Sequence, residues 1–303
     1  MGHQHNHSHE NKLSLVFWLN FLFSVIEVIG GLMTNSTAIL ADAFHDFADA
    51  MAIGLAVLLE KLSGKKRTEA FSYGYRRFSL ISALVMSLFL LAGMVFMITG
   101  AIRSFIYPEV VESSGMFWLA VLGIAINGFA YLRMKKGDEH SHHLHAHDDT
   151  NLNSRAIMLH LLEDVLGWVA VLIGAVVIYF TGWYWIDGLL ALSIAVFIGY
   201  NATKNLIATM KIFLQSVPES VSIENLSGEL GEIQGVEDVH DLHVWSLDGS
   251  NHIGSLHAVV NTSDRNVEND IYHALLQVMN KYNIQHTTVQ LETSARNCKW
   301  VNC

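Results

Sequence analysis

Cysteine is almost absent from this chain. Among 303 residues only Cys298 and Cys303 occur, both in the tail, so no disulfide framework is implied. Charge is scarce as well: Asp, Glu, Lys and Arg make up 15% of the residues, against 51% that are hydrophobic. That balance excludes an ordinary soluble protein over the whole length. The last third is nevertheless polar, so the composition reads as an apolar domain followed by an aqueous one. Basic stripes are missing too. The net charge is −10, with the acidic excess largely in the C-terminal third, which excludes nucleic acid as a partner. No secretory signal peptide is visible, because the N-terminus is polar and histidine-rich and the first apolar run is long enough to span a bilayer. Met1-Gly2 opens a myristoylation pattern, but Asn6 stands where Ser or Thr is required. No period of a solenoid repeat is present.

What the chain does contain is a set of long apolar runs. Six are expected to span a membrane: Leu13 to Met33, Ala38 to Leu59, Phe78 to Ile102, Met116 to Met134, Ile157 to Phe180 and Trp183 to Ala202. The fourth is the weakest, being short and containing Asn127. Lys61, Lys65, Lys66, Arg67, Arg76 and Arg77 crowd one loop, and Arg133, Lys135, Lys136 and Arg155 another, with Lys204 and Lys211 after the last run. The alternate loops carry almost no basic residue except Arg103, so both termini are expected in the cytoplasm. Trp183, Tyr184 and Trp185 fit an outer aromatic belt.

Beyond about residue 210 the pattern changes. Val221 to Ile233 and Val267 to Tyr282 read as amphipathic helices, and Val239 to Leu247, Ile253 to Val260 and Thr287 to Glu292 as strands, with an Asp248-Gly249 turn between the first two. The expected fold is a polytopic α-helical membrane protein with six transmembrane helices and a cytoplasmic α+β ferredoxin-like (αββαβ) C-terminal domain. Its expected divisions are a histidine-rich tail (1–12), the helical domain (13–207) with a histidine-rich loop (137–150), the α+β metal-binding and dimerisation domain (208–296) and a short cysteine-containing tail (297–303).

Two motifs of the form His-x-x-x-Asp, His45 with Asp49 and His160 with Asp164, lie inside apolar runs. A spacing of four puts both members on one helix face. Ionisable side chains at membrane depth cost roughly 2.5–3.5 kcal/mol each and mark ion paths. Two imidazoles and two carboxylates suit a tetrahedral Zn²⁺ site, and also Cd²⁺ or Co²⁺, but not Cu(I), which wants sulfur. Four protein ligands leave no open position for a hydrolytic water, and no His-Glu-x-x-His occurs. One such pair could serve as hydrogen-bonding glue between helices; two identical pairs, each with a carboxylate, argue against it. Metal needs neutral imidazole and ionised carboxylate, so protons and metal compete, and the expected activity is export of metal in exchange for protons. Two other readings stay open: a membrane metal sensor that binds without carrying, and an intramembrane zinc enzyme. Glu27, Asp42, Asp46 and Asn127 are either cavity-lining groups or structural hydrogen-bonding partners.

Further donors are clustered elsewhere among the 17 histidines. His3, His5, His7 and His9 alternate in the N-terminal tail, and His140, His142, His143, His145 and His147 fill the loop before the fifth run, a composition that captures metal without fixed geometry. In the aqueous domain His240, His243, His257, His286 and Glu292 fall on expected strands. His240 and His243 are three apart and face opposite sides unless a bulge or turn intervenes. His252 and His273 read as ordinary surface residues. Cys298 and Cys303 resemble a ligand pair, but their gap is wider than the usual knuckle.

At this point the chain closely resembles the cation diffusion facilitator family, in its zinc-exporting branch. The strings that carry the resemblance are Glu27-Val-Ile-Gly-Gly31, Ser36-Thr-Ala-Ile-Leu-Ala-Asp-Ala-Phe-His-Asp-Phe-Ala-Asp49, Ser72-Tyr-Gly-Tyr-Arg-Arg77 and His240-Asp-Leu-His-Val-Trp-Ser-Leu247. The resemblance implies a homodimer in a lipid bilayer that exchanges Zn²⁺ for H⁺, with no organic cofactor and no enzymatic activity. By motif it implies transport ligands at His45, Asp49, His160 and Asp164. It implies cytoplasmic, dimer-stabilising metal at His240, His257 and Glu292, with His243 and His286 as looser candidates. A further family site in the loop after the second run is expected to be absent, because residues 68–77 offer Glu69 and tyrosines but no histidine. The compact length suggests a bacterial plasma membrane.

Overall fold

The computed structural model describes residues 6–65, 67–141, 148–262 and 264–293; side chains of residues 6–16, 19, 60, 61, 134–141 and 148–157 are not described. Six long helices come first: α1 (Asn6–Thr34), α2 (Thr37–Ser63), α3 (Phe78–Ile106), α4 (Ser113–Ser141), α5 (Asp148–Thr181) and α6 (Trp185–Phe213). A short helix α7 (Ile223–Gly231), strands β1 (Val236–Ser246) and β2 (His252–Val260), helix α8 (Arg265–Lys281) and strand β3 (Ile284–Thr293) follow. The chain forms two compact units, Met1–Val57 with Val85–Lys204 and Leu58–Leu84 with Asn205–Cys303.

In the helical unit the first helix inverts the usual burial pattern. Along α1 the buried residues are Phe23, Ser24, Glu27, Gly30, Gly31 and Thr34, a stripe at helical spacing made mostly of small and polar side chains. Leu22, Val25, Ile26, Ile29, Leu32 and Met33 point outward. Helices that face lipid need no apolar core to drive association and pack through small residues instead. Gly188 shows this at the α3–α6 crossing: a β-carbon there would lie 2.7 Å from the Phe105 nitrogen and 3.0 Å from the Ala101 oxygen. Trp168 of α5 is fully buried and fills the space that Gly123 leaves on α4.

Among the described residues four helices are long and apolar enough to cross a membrane: Phe78–Ile106, Ser113–Arg133, Met158–Thr181 and Trp185–Phe213. The fourth apolar run, expected to be the weakest, is one of them. Asn20–Thr34 is a shorter apolar helix, and α2, which carries Asp42, Asp46 and Asp49, does not qualify by composition. The helices also outrun their apolar stretches. The segment expected as a histidine-rich loop (137–150) is helical up to Ser141 and again from Asp148. Backbone hydrogen bonding continues in water once a helix has nucleated in a packed segment. His3, His5, His142, His143, His145, His147, Cys298 and Cys303 lie outside the described residues, as do the side chains of His7, His9 and His140.

The second unit carries the three-stranded sheet, in the order β1-β2-β3, with β1 antiparallel and β3 parallel to β2. The α-β-β-α-β order is that expected from the pattern. Leu226 and Leu230 of α7, and Ile271, Leu275 and Met279 of α8, bury one face of the sheet against Leu256, Ala258 and Val260 of β2. The alternate residues Ser255, His257 and Val259 therefore point to the uncovered face. Asp264 caps α8 by accepting from the Asn266 nitrogen at 2.9 Å. Glu229 of α7 accepts from Lys281 Nζ at 2.7 Å and from Tyr282 Oη at 2.8 Å, which holds its carboxyl below the usual range.

Candidate metal centre

Asp187, at the start of α6, fixes where α2 begins. Its carboxylate accepts from Ser36 Oγ and the Thr37 nitrogen at 2.6 Å each, and from the Ala38 nitrogen at 3.3 Å. It thereby satisfies orphan donors at a helix N-terminus with an opposite charge. Sequence reasoning missed it, because the partners are about 150 residues apart and no local spacing signals the contact.

From that anchored end α2 delivers His45 and Asp49, one turn apart, and α5 delivers His160 and Asp164. His160 Nε2 lies 3.0 Å from Asp49 Oδ2 and 3.8 Å from Asp164 Oδ2, and His45 Nε2 lies 3.7 Å from Asp49 Oδ2. The imidazole rings are 6.0 Å apart and nearly perpendicular. His45, His160 and Asp164 each offer an atom within 4.8 Å of the others. A tetrahedron with bonds of 2.0–2.1 Å has edges of roughly 3.3 Å, and the observed separations bracket that length. The donors are only partly exposed, from 12% for Asp164 to 38% for His160. Glu27, Asp42, Asp46 and Asn127 are all buried.

A second cluster sits on the uncovered face of the sheet. His240 pairs across the ladder with His257, and Glu292 of β3 lies beside them. His257 Nδ1 is 3.2 Å from Glu292 Oε1, and His240 Nε2 is 3.7 Å from Glu292 Oε2. His240 Nε2 and Glu292 Oε2 are buried without hydrogen-bond partners, so the donor set is incomplete as it stands and fits a metal ion. Between His240 and His243 the register shifts, with Asp241 in the left-handed region at φ 50°. Asp241 and Leu242 together oppose Leu256, a β-bulge. The bulge turns His243 to the same face as His240. It also lets Asp241 reach His243 Nε2 at 2.7 Å and His257 Nε2 at 3.7 Å. Asp238 meets His240 Nδ1 at 3.0 Å. Asp238 and Asp241 were not singled out from the sequence, although Asp241 lies within the His240-to-His243 string. His286 is not part of the cluster. It sits six residues before Glu292 on β3, and its ring meets Tyr73 edge-on at 5.8 Å. His252 is buried rather than on the surface, as expected of it, because it faces Ser246 and Ile284 inside the sheet.

Apolar membrane-crossing helices with imidazole and carboxylate donors between them, joined to a small α+β domain with donors of its own, define an integral membrane protein that handles metal cations. The chain belongs to the cation efflux family: residues 13–214 match its transmembrane domain and residues 218–294 the cytoplasmic domain of cation efflux proteins. It is thus a cation transporter and not an enzyme. It is 32% identical over 307 residues to the "Cadmium, cobalt and zinc/H(+)-K(+) antiporter" of Bacillus subtilis (strain 168), covering 98% of this chain and 94% of that one. It is 31% identical over 294 residues to the "Metal cation efflux system protein CzcD" of Cupriavidus metallidurans, covering 96% and 90%. Over 292 residues it is 32% identical to the "Zinc transporter ZitB" of Yersinia pseudotuberculosis, covering 94% and 88%.

Proposed function

We propose that this protein exports Zn²⁺, with Cd²⁺ and Co²⁺ as related substrates, from the cytoplasm in exchange for protons. The reading rests on one observation: Asp49 of α2 lies 3.0 Å from His160 of α5, and His45 and Asp164 each offer a ligand atom within 4.8 Å of one on His160. Metal binds neutral imidazole and ionised carboxylate, so each ion that enters displaces protons. Imidazole changes charge between pH 5 and 8, which couples occupancy to a physiological proton gradient. Alternating access then carries metal one way and protons the other. The basic loops support a topology with both termini in the cytoplasm, and the membrane is read as a bacterial plasma membrane. The chain works as a homodimer, and the histidine-rich segments capture cytoplasmic metal for delivery.

In the cytoplasmic domain His240, His257 and Glu292 hold a resident ion, with Asp241 and Asp238 orienting the imidazoles. Such an ion would cross-link strands β1, β2 and β3. His243 contributes a looser donor at the bulge.

The test is Zn²⁺ uptake into sealed proteoliposomes under an imposed pH gradient, for the native chain, Asp49→Ala and Asp164→Ala. Gradient-driven flux that both substitutions abolish supports a proton-coupled carrier. Equal flux in all three would sink this site, and metal binding without flux would favour the sensor.

A further inference from the structure

One cavity, of about 350 Å³, lies wholly inside the second unit. Its walls include Tyr73, Arg76 and Arg77 from the α2–α3 loop, Phe213 at the end of α6, Trp245 of β1 and Leu247 just beyond it. The loop is shaped by its own rings, with Phe71 and Tyr75 4.7 Å apart and Tyr75 and Phe78 5.3 Å apart, and it turns at Gly74, φ 71°. Tyr73 docks on His286 of β3.

Among the described residues Lys and Arg form two ion pairs, Lys211–Glu219 and Lys281–Glu229, and neither Arg76 nor Arg77 forms one. Arg77 Nε is buried and has no hydrogen-bond partner. A buried guanidinium N–H without an acceptor is costly, and two adjacent guanidiniums beside one cavity repel each other unless an anion joins them. The guanidinium fork matches a phosphate in bidentate fashion. Phe213, Trp245 and Leu247 would cover the apolar part of an ester. Arg76 and Arg77 also directly precede α3, a helix able to cross a membrane, so they stand at headgroup level.

We propose that this cavity binds a phosphate group, carried by an anionic phospholipid headgroup or by a soluble phosphate, clamped between Arg76 and Arg77. The bound group would tie the α2–α3 loop to the end of β1.

Native mass spectrometry of the full-length, detergent-solubilised chain, titrated with phosphatidylglycerol and separately with phosphatidylcholine, tests the lipid source. Thermal shift with inorganic phosphate tests the soluble one. Arg76→Gln/Arg77→Gln should weaken phosphatidylglycerol binding by about tenfold. Arg77→Lys, which keeps the charge but loses the fork, should weaken it several-fold, and Tyr73→Ser, in an exposed wall, should weaken it too. Arg103→Gln, at the far end of α3, should leave it unchanged. Tight binding of phosphatidylglycerol alone assigns the headgroup, and stabilisation by inorganic phosphate that Arg77→Lys removes assigns the soluble ion. Binding of neither ligand overturns the site. So does loss on neutralisation with Arg77→Lys and Tyr73→Ser left native-like, since that is the behaviour of a merely basic surface.

Discussion

The two donor clusters use the same side chains on opposite scaffolds. In the helical unit a spacing of four suffices: each helix carries its own His and Asp on one face, and only the approach of α2 to α5 is long-range. On the sheet no strand supplies the set. His240, His257 and Glu292 come from three strands and meet through register. The environments differ as well. His160 is 38% exposed, whereas Glu292 is 3% exposed. An ion that must enter and leave needs an accessible, loosely closed set of donors. A set built around a buried carboxylate suits an ion that stays.

The sharpest way to break this contrast is to remove one helical ligand. His160→Ala should cut Zn²⁺ flux by about 100-fold, since each of four ligands carries roughly a quarter of the ~10–16 kcal/mol of a zinc site. Zinc bound by the cytoplasmic domain, counted by equilibrium dialysis, should persist. His257→Ala should do the reverse: the cytoplasmic ion is lost and zinc no longer raises the thermal midpoint of that domain, while flux continues at a reduced level. Asp187→Ala touches neither donor set but releases the N-terminus of α2. It should cost about 1–3 kcal/mol, read as a lower unfolding temperature in detergent. Asp241→Gly, which tolerates the bulge but lacks the carboxylate, should weaken cytoplasmic zinc binding by about tenfold in calorimetry. The smallest effect belongs to Glu229. Its carboxyl is depressed by Lys281 and Tyr282, so its contribution is present above the ordinary Glu range and fades as pH falls through the lowered value. Glu229→Gln should therefore lower stability slightly at neutral pH, leave it unchanged below the lowered value, and so flatten the acid limb between them.

The sequence shows the helical cluster because helix periodicity is local: His45 and Asp49 share a face wherever the helix packs. The αββαβ order is legible for the same reason, since alternation in β2 and the apolar spacing of α8 need no partner to be recognised. Asp187 is invisible because its contacts depend on how α6 meets α2. Composition groups His286 with the other histidines, yet strand length alone separates it from Glu292 by roughly 20 Å. The joint use of His240 and His243 hung on a bulge that alternation cannot announce, because the extra residue shows only in the pairing with β2.

That bulge packs three donors, His240, Asp241 and His243, into four consecutive residues on one face, where a flat strand can present only two. Its integrity is therefore a matter of length and not only of identity. Loss of a single codon, that of Leu242, would straighten β1 and leave both imidazoles outside. Asp241 would then turn into the place Leu242 holds against the helices. One missing residue, with every histidine still in place, would disarm the bracing carboxylate and bury a charge in the apolar core.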